Sequence, residues 1–77
     1  MKIQLKFFGQ LAEITGKDII EMEDIEDTDS LVKKVLNDFP KFNSCKFQVA
    51  VNHKLLKQMQ KLESGSEIAF LPPFAGG

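Results

Sequence analysis

Arginine is absent: all ten basic residues of this 77-residue chain are lysine. Without guanidinium groups there is no rigid fork for bidentate contacts to phosphate or guanine. No basic stripe with interleaved aromatics takes its place, so nucleic acid is not an expected partner. Cysteine is nearly absent too. Cys45 stands alone, which excludes an internal disulfide and suits a reducing compartment, the cytoplasm. No partner residue accompanies it to activate the thiol, so it reads as a loop or loosely packed cysteine. No apolar run approaches bilayer-spanning length, and the N-terminus alternates instead of forming a signal-peptide core, so no membrane association is expected. His53 is the one histidine. It sits beside Asn52 at a turn, with no nucleophile or metal ligand at useful spacing, and reads as an exposed turn residue. Metal-ligand clusters, phosphate loops, paired-carboxylate motifs, repeats and linkers are all missing. The side chains alone suggest neither an active site nor a bound metal or cofactor.

What is present is patterning. The hydrophobic fraction is 43%, with seven Phe, which suits one small globular domain. Residues 2–8, KIQLKFF, put Ile3, Leu5 and Phe7 on one side and Lys2, Gln4 and Lys6 on the other, a half-buried strand. Phe8 falls on the polar side. Residues 9–16 read as a connection, with Gly16 as its turn residue. Residues 17–24 give a second strand, expected antiparallel to the first. The acidic run Glu21, Glu23, Asp24, Glu26, Asp27 and Asp29 reads as a solvated strand edge and helix start.

In DTDSLVKKVLNDFP, Leu31, Val32, Val35, Leu36 and Phe39 recur at helical spacing. Thr28 or Asp27 can cap that helix and Pro40 ends it. KFQVAVN is a strand with Phe47, Val49 and Val51 on one face, and Asn52-His53 reverses it into a short strand, KLLK. EIAFLP is the last strand, with Ile68 and Phe70 inward and Leu71 therefore outward. One helix on one mixed sheet of about five strands buries these stripes economically. The strongly apolar first and last strands are expected to lie centrally and in parallel. That is an α+β arrangement of the β-grasp, or ubiquitin-like, type.

The chain then finishes FLPPFAGG. The Phe7-Phe8 pair, Leu11 and Glu13 before Gly16, Val51-Asn52, Gly65, Pro72-Pro73 and Gly76-Gly77 together resemble the molybdopterin synthase small-subunit family of sulfur carriers (MoaD). The resemblance extends over essentially the whole length. It departs at Ala12, where many members carry Arg, and at Phe74, where a smaller residue is usual. The first implies an altered surface contact, the second a narrower range of partners for the tail.

The resemblance implies a β-grasp domain over 1–71 and a flexible tail over 72–77 whose terminal carboxylate is the reactive group. Gly77, preceded by Gly76, would be adenylated with ATP by a partner enzyme (MoeB-like) and converted by a sulfur donor to a thiocarboxylate. It would then give sulfur to a pterin precursor, cyclic pyranopterin monophosphate, in the active site of a large subunit (MoaE-like), the two subunits forming a heterotetramer. No cofactor is bound by the carrier itself. Glycines let a tail thread a narrow channel because no Cβ holds the walls apart. Pro72 and Pro73 stiffen its exit from the strand, and Phe74 and Ala75 complete its contact surface. From Pro72 to Gly77 the extended chain reaches roughly 20 Å. Phe8, Leu71 and Leu55 are expected to form an exposed apolar patch for partners. Three alternatives stay open: a thiamine-pathway carrier (ThiS-like), a ubiquitin-like protein modifier, and a plain interaction domain.

Overall fold

The alternation at the start of the chain becomes β1, Lys2–Phe7, with Ile3, Leu5 and Phe7 all buried. In this computed structural model residues 2–73 are described. The expectations for Phe74, Ala75, Gly76 and Gly77 lie outside the described residues. After β1 come α1 (Gln10–Thr15), β2 (Ile19–Glu23), α2 (Thr28–Asp38), a 3-10 helix (Pro40–Ser44), β3 (Gln48–Val51), β4 (Lys54–Leu55) and β5 (Glu67–Leu71). The five strands form one sheet in the order β2-β1-β5-β3-β4. β1 runs parallel to β5 in its centre, with Leu5 opposite Ile68 and Phe7 opposite Phe70. The β1–β2 and β3–β5 pairs are antiparallel, as expected for β2. The mixed sheet packed on a helix is the ubiquitin-like β-grasp arrangement.

α2 forms where its apolar stripe predicts. Leu31 and Val35 are fully buried, and Val32, Leu36 and Phe39 pack around them. Asp27 is the cap, accepting a 2.8 Å hydrogen bond from the Ser30 N–H. That bond, with help from the Ser30 side chain and then from Lys33 and Lys61, holds the Asp27 carboxyl below its ordinary range. A depressed carboxylate stabilises the fold above its unfolded pKa and loses that contribution as pH falls through the folded one. Asp27→Ala is therefore expected to lower Tm at neutral pH, with the deficit shrinking below about pH 4. A deficit constant from neutral to acid pH in thermal melts would contradict this.

Two helices lie outside the elements expected from the sequence, one of them in the stretch read as a connection. Residues 10–15 are helical because Leu11 must bury, and it does so at 2% exposure with Ile14 packing beside it. Six residues flanked by glycines are too few to show a helical period. Pro40 ends α2 and also opens the 3-10 helix, since a missing N–H costs nothing in a first turn. That turn delivers Phe42 to the core at 1% exposure. Phe42 meets Phe7 and Phe70 edge-on at 5.9 and 6.0 Å, while Phe7 and Phe70 stack at 5.1 Å. Each such side chain contributes about 2–3 kcal/mol by burial.

Thr28 ties the start of α2 to the segment before β5. Its N–H donates to the Gln60 carbonyl at 2.9 Å, and its buried Oγ1 accepts from the Gln60 N–H at 3.0 Å. Thr28→Val preserves shape but strands that N–H. A loss of about 1–2 kcal/mol is expected in chemical denaturation, and an unchanged midpoint would show the link to be dispensable.

Candidate functional site

Strand parity that sends Phe7 and Phe70 into the core sends Phe8 and Leu71 to the other face of the sheet. Phe8 is 45% exposed just beyond β1, and Leu55 is 56% exposed on β4. Leu71, at the end of β5, is half-buried. The structure brings these three expected residues together around one shallow depression of about 320 Å³. Its floor is Ala50 and Ala69, directly paired between β3 and β5. Two methyl side chains on adjacent strands make a trough where larger groups would make a ridge.

The trough has one charged end. Glu67 accepts from Lys6 Nζ at 3.0 Å and lies 3.3 Å from His53 Nε2, an ion pair when the imidazole is protonated. The Asn52-His53 turn is held there by its backbone. Both residues take positive φ, 49° and 74°, as a tight hairpin reversal demands. Asn52 N–H donates to the Glu67 carbonyl at 2.8 Å, and Asn52 Oδ1 accepts from the Glu67 N–H at 3.0 Å. His53 is exposed, as expected for a turn residue.

Phe8 also walls a second hollow on its other side, with Ala12, Asp18 and Ile19. Ile19 is 49% exposed and pairs with Lys6 across β1–β2, so it shares the outward face. Ala12, expected at a surface contact, is partly buried against the core. The apolar strip thus extends from Ile19 on β2 to Leu55 on β4. Sequence reasoning missed Ile19, Ala50 and Ala69. The signal was available in part: Ala50 and Ala69 are small apolar residues at positions where strand parity calls for polar ones.

Beside the trough the chain leaves β5 at Pro72, which is partly buried, and passes to Pro73, which is exposed. A groove of about 590 Å³ lies under this exit, lined by Gly9, Leu11, Cys45 and Lys46 together with both prolines. Cys45 is partly buried there. Among the described residues no cluster of three metal-ligating side chains occurs, and no helix is long and apolar enough to cross a membrane. Among the described residues the arrangement is an exposed apolar face next to a proline exit, with no pocket of catalytic side chains.

Comparison with known proteins gives this geometry a context. Residues 5–77 match the family described as the ThiS family. A molybdopterin synthase sulfur carrier subunit of Haemophilus influenzae is 32% identical, over 97% of this chain and 99% of its own length. A putative molybdopterin converting factor, subunit 1, from Pyrococcus furiosus superposes with a TM-score of 0.85 at 21% identity, covering 95% of this chain and 98% of that one. The small archaeal modifier protein SAMP1 of Haloferax volcanii superposes at 0.80 with 20% identity over the whole of both chains. A chain from the complex of subunits 1 and 2 of the molybdopterin-converting factor of Helicobacter pylori gives 0.75 at 24% identity, again over both whole chains.

Proposed function

Because the chain belongs to the ThiS family, we propose that it is the sulfur-carrier small subunit of a molybdopterin synthase, with the carboxylate of Gly77 as the carrying group. The observation that carries this reading is the near full-length similarity to a molybdopterin synthase sulfur carrier subunit. The apolar trough beside the Pro72 exit supports it.

The chemistry needs no catalytic side chain from this chain. A carboxylate is a poor acyl donor because oxide is a poor leaving group. In the proposed activation a Gly77 carboxylate oxygen attacks the α-phosphorus of ATP, and pyrophosphate leaves. A donor at the sulfide oxidation level then attacks the acyl carbon, AMP departs, and a thiocarboxylate remains. Its sulfur, soft and nucleophilic, bonds to a carbon of the pterin precursor as the oxygen substituent on that carbon departs. Water cleaves the acyl–sulfur bond, returning Gly77 to a carboxylate and leaving sulfur on the pterin. Two such rounds complete a dithiolene.

The chain's own residues supply docking and delivery. Phe8, Leu55 and Leu71 present apolar surface around the Ala50–Ala69 floor, the composition of an interface centre. Lys6 and Glu67 at the charged end fix register more than they add affinity. The adenylating enzyme and the large subunit would both meet this face, since both must receive the tail that starts beside it.

The test is transfer from the charged chain. Mixed with a molybdopterin synthase large subunit and the pterin precursor, it should revert to the carboxylate as dithiolene appears. Turnover only with a thiazole-forming enzyme would move the assignment to a thiamine-pathway carrier. Lysine-linked protein adducts without a small-molecule product would make it a modifier.

A further inference from the structure

The outward row through the trough floor runs from β2 to β4 as Ile19, Lys6, Ala69, Ala50 and Leu55. Lys6 alone brings a charge into this otherwise apolar strip, which a partner would cover. Of the ten lysines it is the only one that is not exposed. Its side chain keeps 34% of its surface, and that of Glu67 keeps 28%. Among the acidic residues only Asp27 and Glu67 are half-buried, and Asp27 is already the α2 cap. Among the described residues, the Lys6–Glu67 pair is thus the one place where half-buried charges of both signs meet.

Glu67 is fixed independently of Lys6. Its backbone N–H and carbonyl are both bonded to Asn52, at 3.0 and 2.8 Å. One carboxylate oxygen accepts from Lys6 Nζ at 3.0 Å, and the other lies 3.3 Å from His53 Nε2. Glu67 stands opposite Gln4, one outward position below the row, so the ion pair draws the ammonium off the row toward the polar end. The Lys6 stem stays behind as apolar surface, as the stems of long charged side chains commonly do. On its other side Lys6 borders the hollow walled by Phe8, Asp18 and Ile19. Without Glu67, the carboxylate across that hollow is Asp18, and an ammonium drawn toward it would lie over the apolar strip.

We infer that Glu67 is a positioning residue for docking: it holds the Lys6 ammonium at the polar end of the trough and so leaves the row free for an apolar partner surface. The inference rests on the sulfur-carrier reading above and takes the molybdopterin synthase large subunit as the partner. Removing one member of a pair that becomes buried strands the other charge, which is costly. Replacing both members by apolar groups is often neutral. Glu67 therefore matters because Lys6 is there, and that dependence sets it apart from a residue that touches the partner itself.

The test compares wild type, Glu67→Ala, and Glu67→Ala combined with Lys6→Met, which keeps an unbranched apolar stem in the row. The Asn52 bonds use only the Glu67 backbone, so every version should fold, and thermal melts check this. In the free chains, trace acylation mapped by mass spectrometry should label Lys6 faster in Glu67→Ala than in wild type, with exposed Lys17 as the internal reference. Calorimetry with a molybdopterin synthase large subunit should give Glu67→Ala a Kd about tenfold or more above wild type, and return the double variant to within about threefold of it. A double variant as weak as Glu67→Ala, wild-type affinity in Glu67→Ala, or unchanged Lys6 labelling would overturn the inference. A wild-type chain that shows the protected Lys6 but binds no large subunit would overturn the sulfur-carrier reading, and the docking role of Glu67 with it.

Discussion

A chain truncated after Gly76 should melt like wild type and transfer no sulfur. Truncation moves the terminal carboxyl back by about 3.5 Å, as much as the whole separation that reacting atoms tolerate. Extension beyond Gly77 has the same outcome by another route. A peptide bond at Gly77 replaces the carboxylate with an amide, which has no anionic oxygen to attack ATP. Among the described residues the buried core ends at Phe70, so neither change is expected to touch it. Rates for the truncated and extended chains, against a melting control, are the check. Undiminished transfer from the extended chain would eliminate the C-terminal mechanism.

The next largest effect is expected at Phe8. Phe8→Lys puts an ammonium group at the ridge between the trough and the Ile19 hollow, where a partner would have to desolvate it. Truncating a central aromatic anchor commonly costs about 2 kcal/mol or more, a factor of roughly thirty in Kd. With Phe8 45% exposed, the same change should barely move Tm. Binding to the large subunit by calorimetry, alongside a melt, separates the two effects. A large fall in Tm with unaltered affinity would place Phe8 in the core and remove the docking face.

Phe7 and Phe8 also show how far the sequence could be read. They are the same residue type, one position apart, with opposite fates, and period-two alternation alone tells them apart. The same rule placed Ile68 and Phe70 inward and Leu71 outward, so the walls of the trough were legible before its shape was. α2 was legible because its stripe lasts long enough for the helical period to emerge. The turn at Asn52-His53 was legible because tight reversals favour residues that tolerate positive φ.

What escaped did so for physical reasons. α1 is too short for a period and is flanked by residues that also signal turns. The 3-10 helix opens on a proline that reads as a stop, so nothing marked Phe42 as part of the core. The trough floor depends on Ala50 standing beside Ala69, a cross-strand register that the linear pattern does not specify. Local pattern showed which face each residue takes, and pairing decided which residues meet.

The central claim is that Gly77 carries sulfur, and the intact mass of the chain tests it most directly. Purified chain incubated with its adenylating enzyme, ATP and a sulfur donor should gain the mass difference between one sulfur and one oxygen. Fragmentation should place that gain on Gly77, and leaving out ATP should prevent it. A mass unchanged by adenylating enzymes of both the molybdopterin and thiamine pathways, or a gain located on Cys45, would contradict the account.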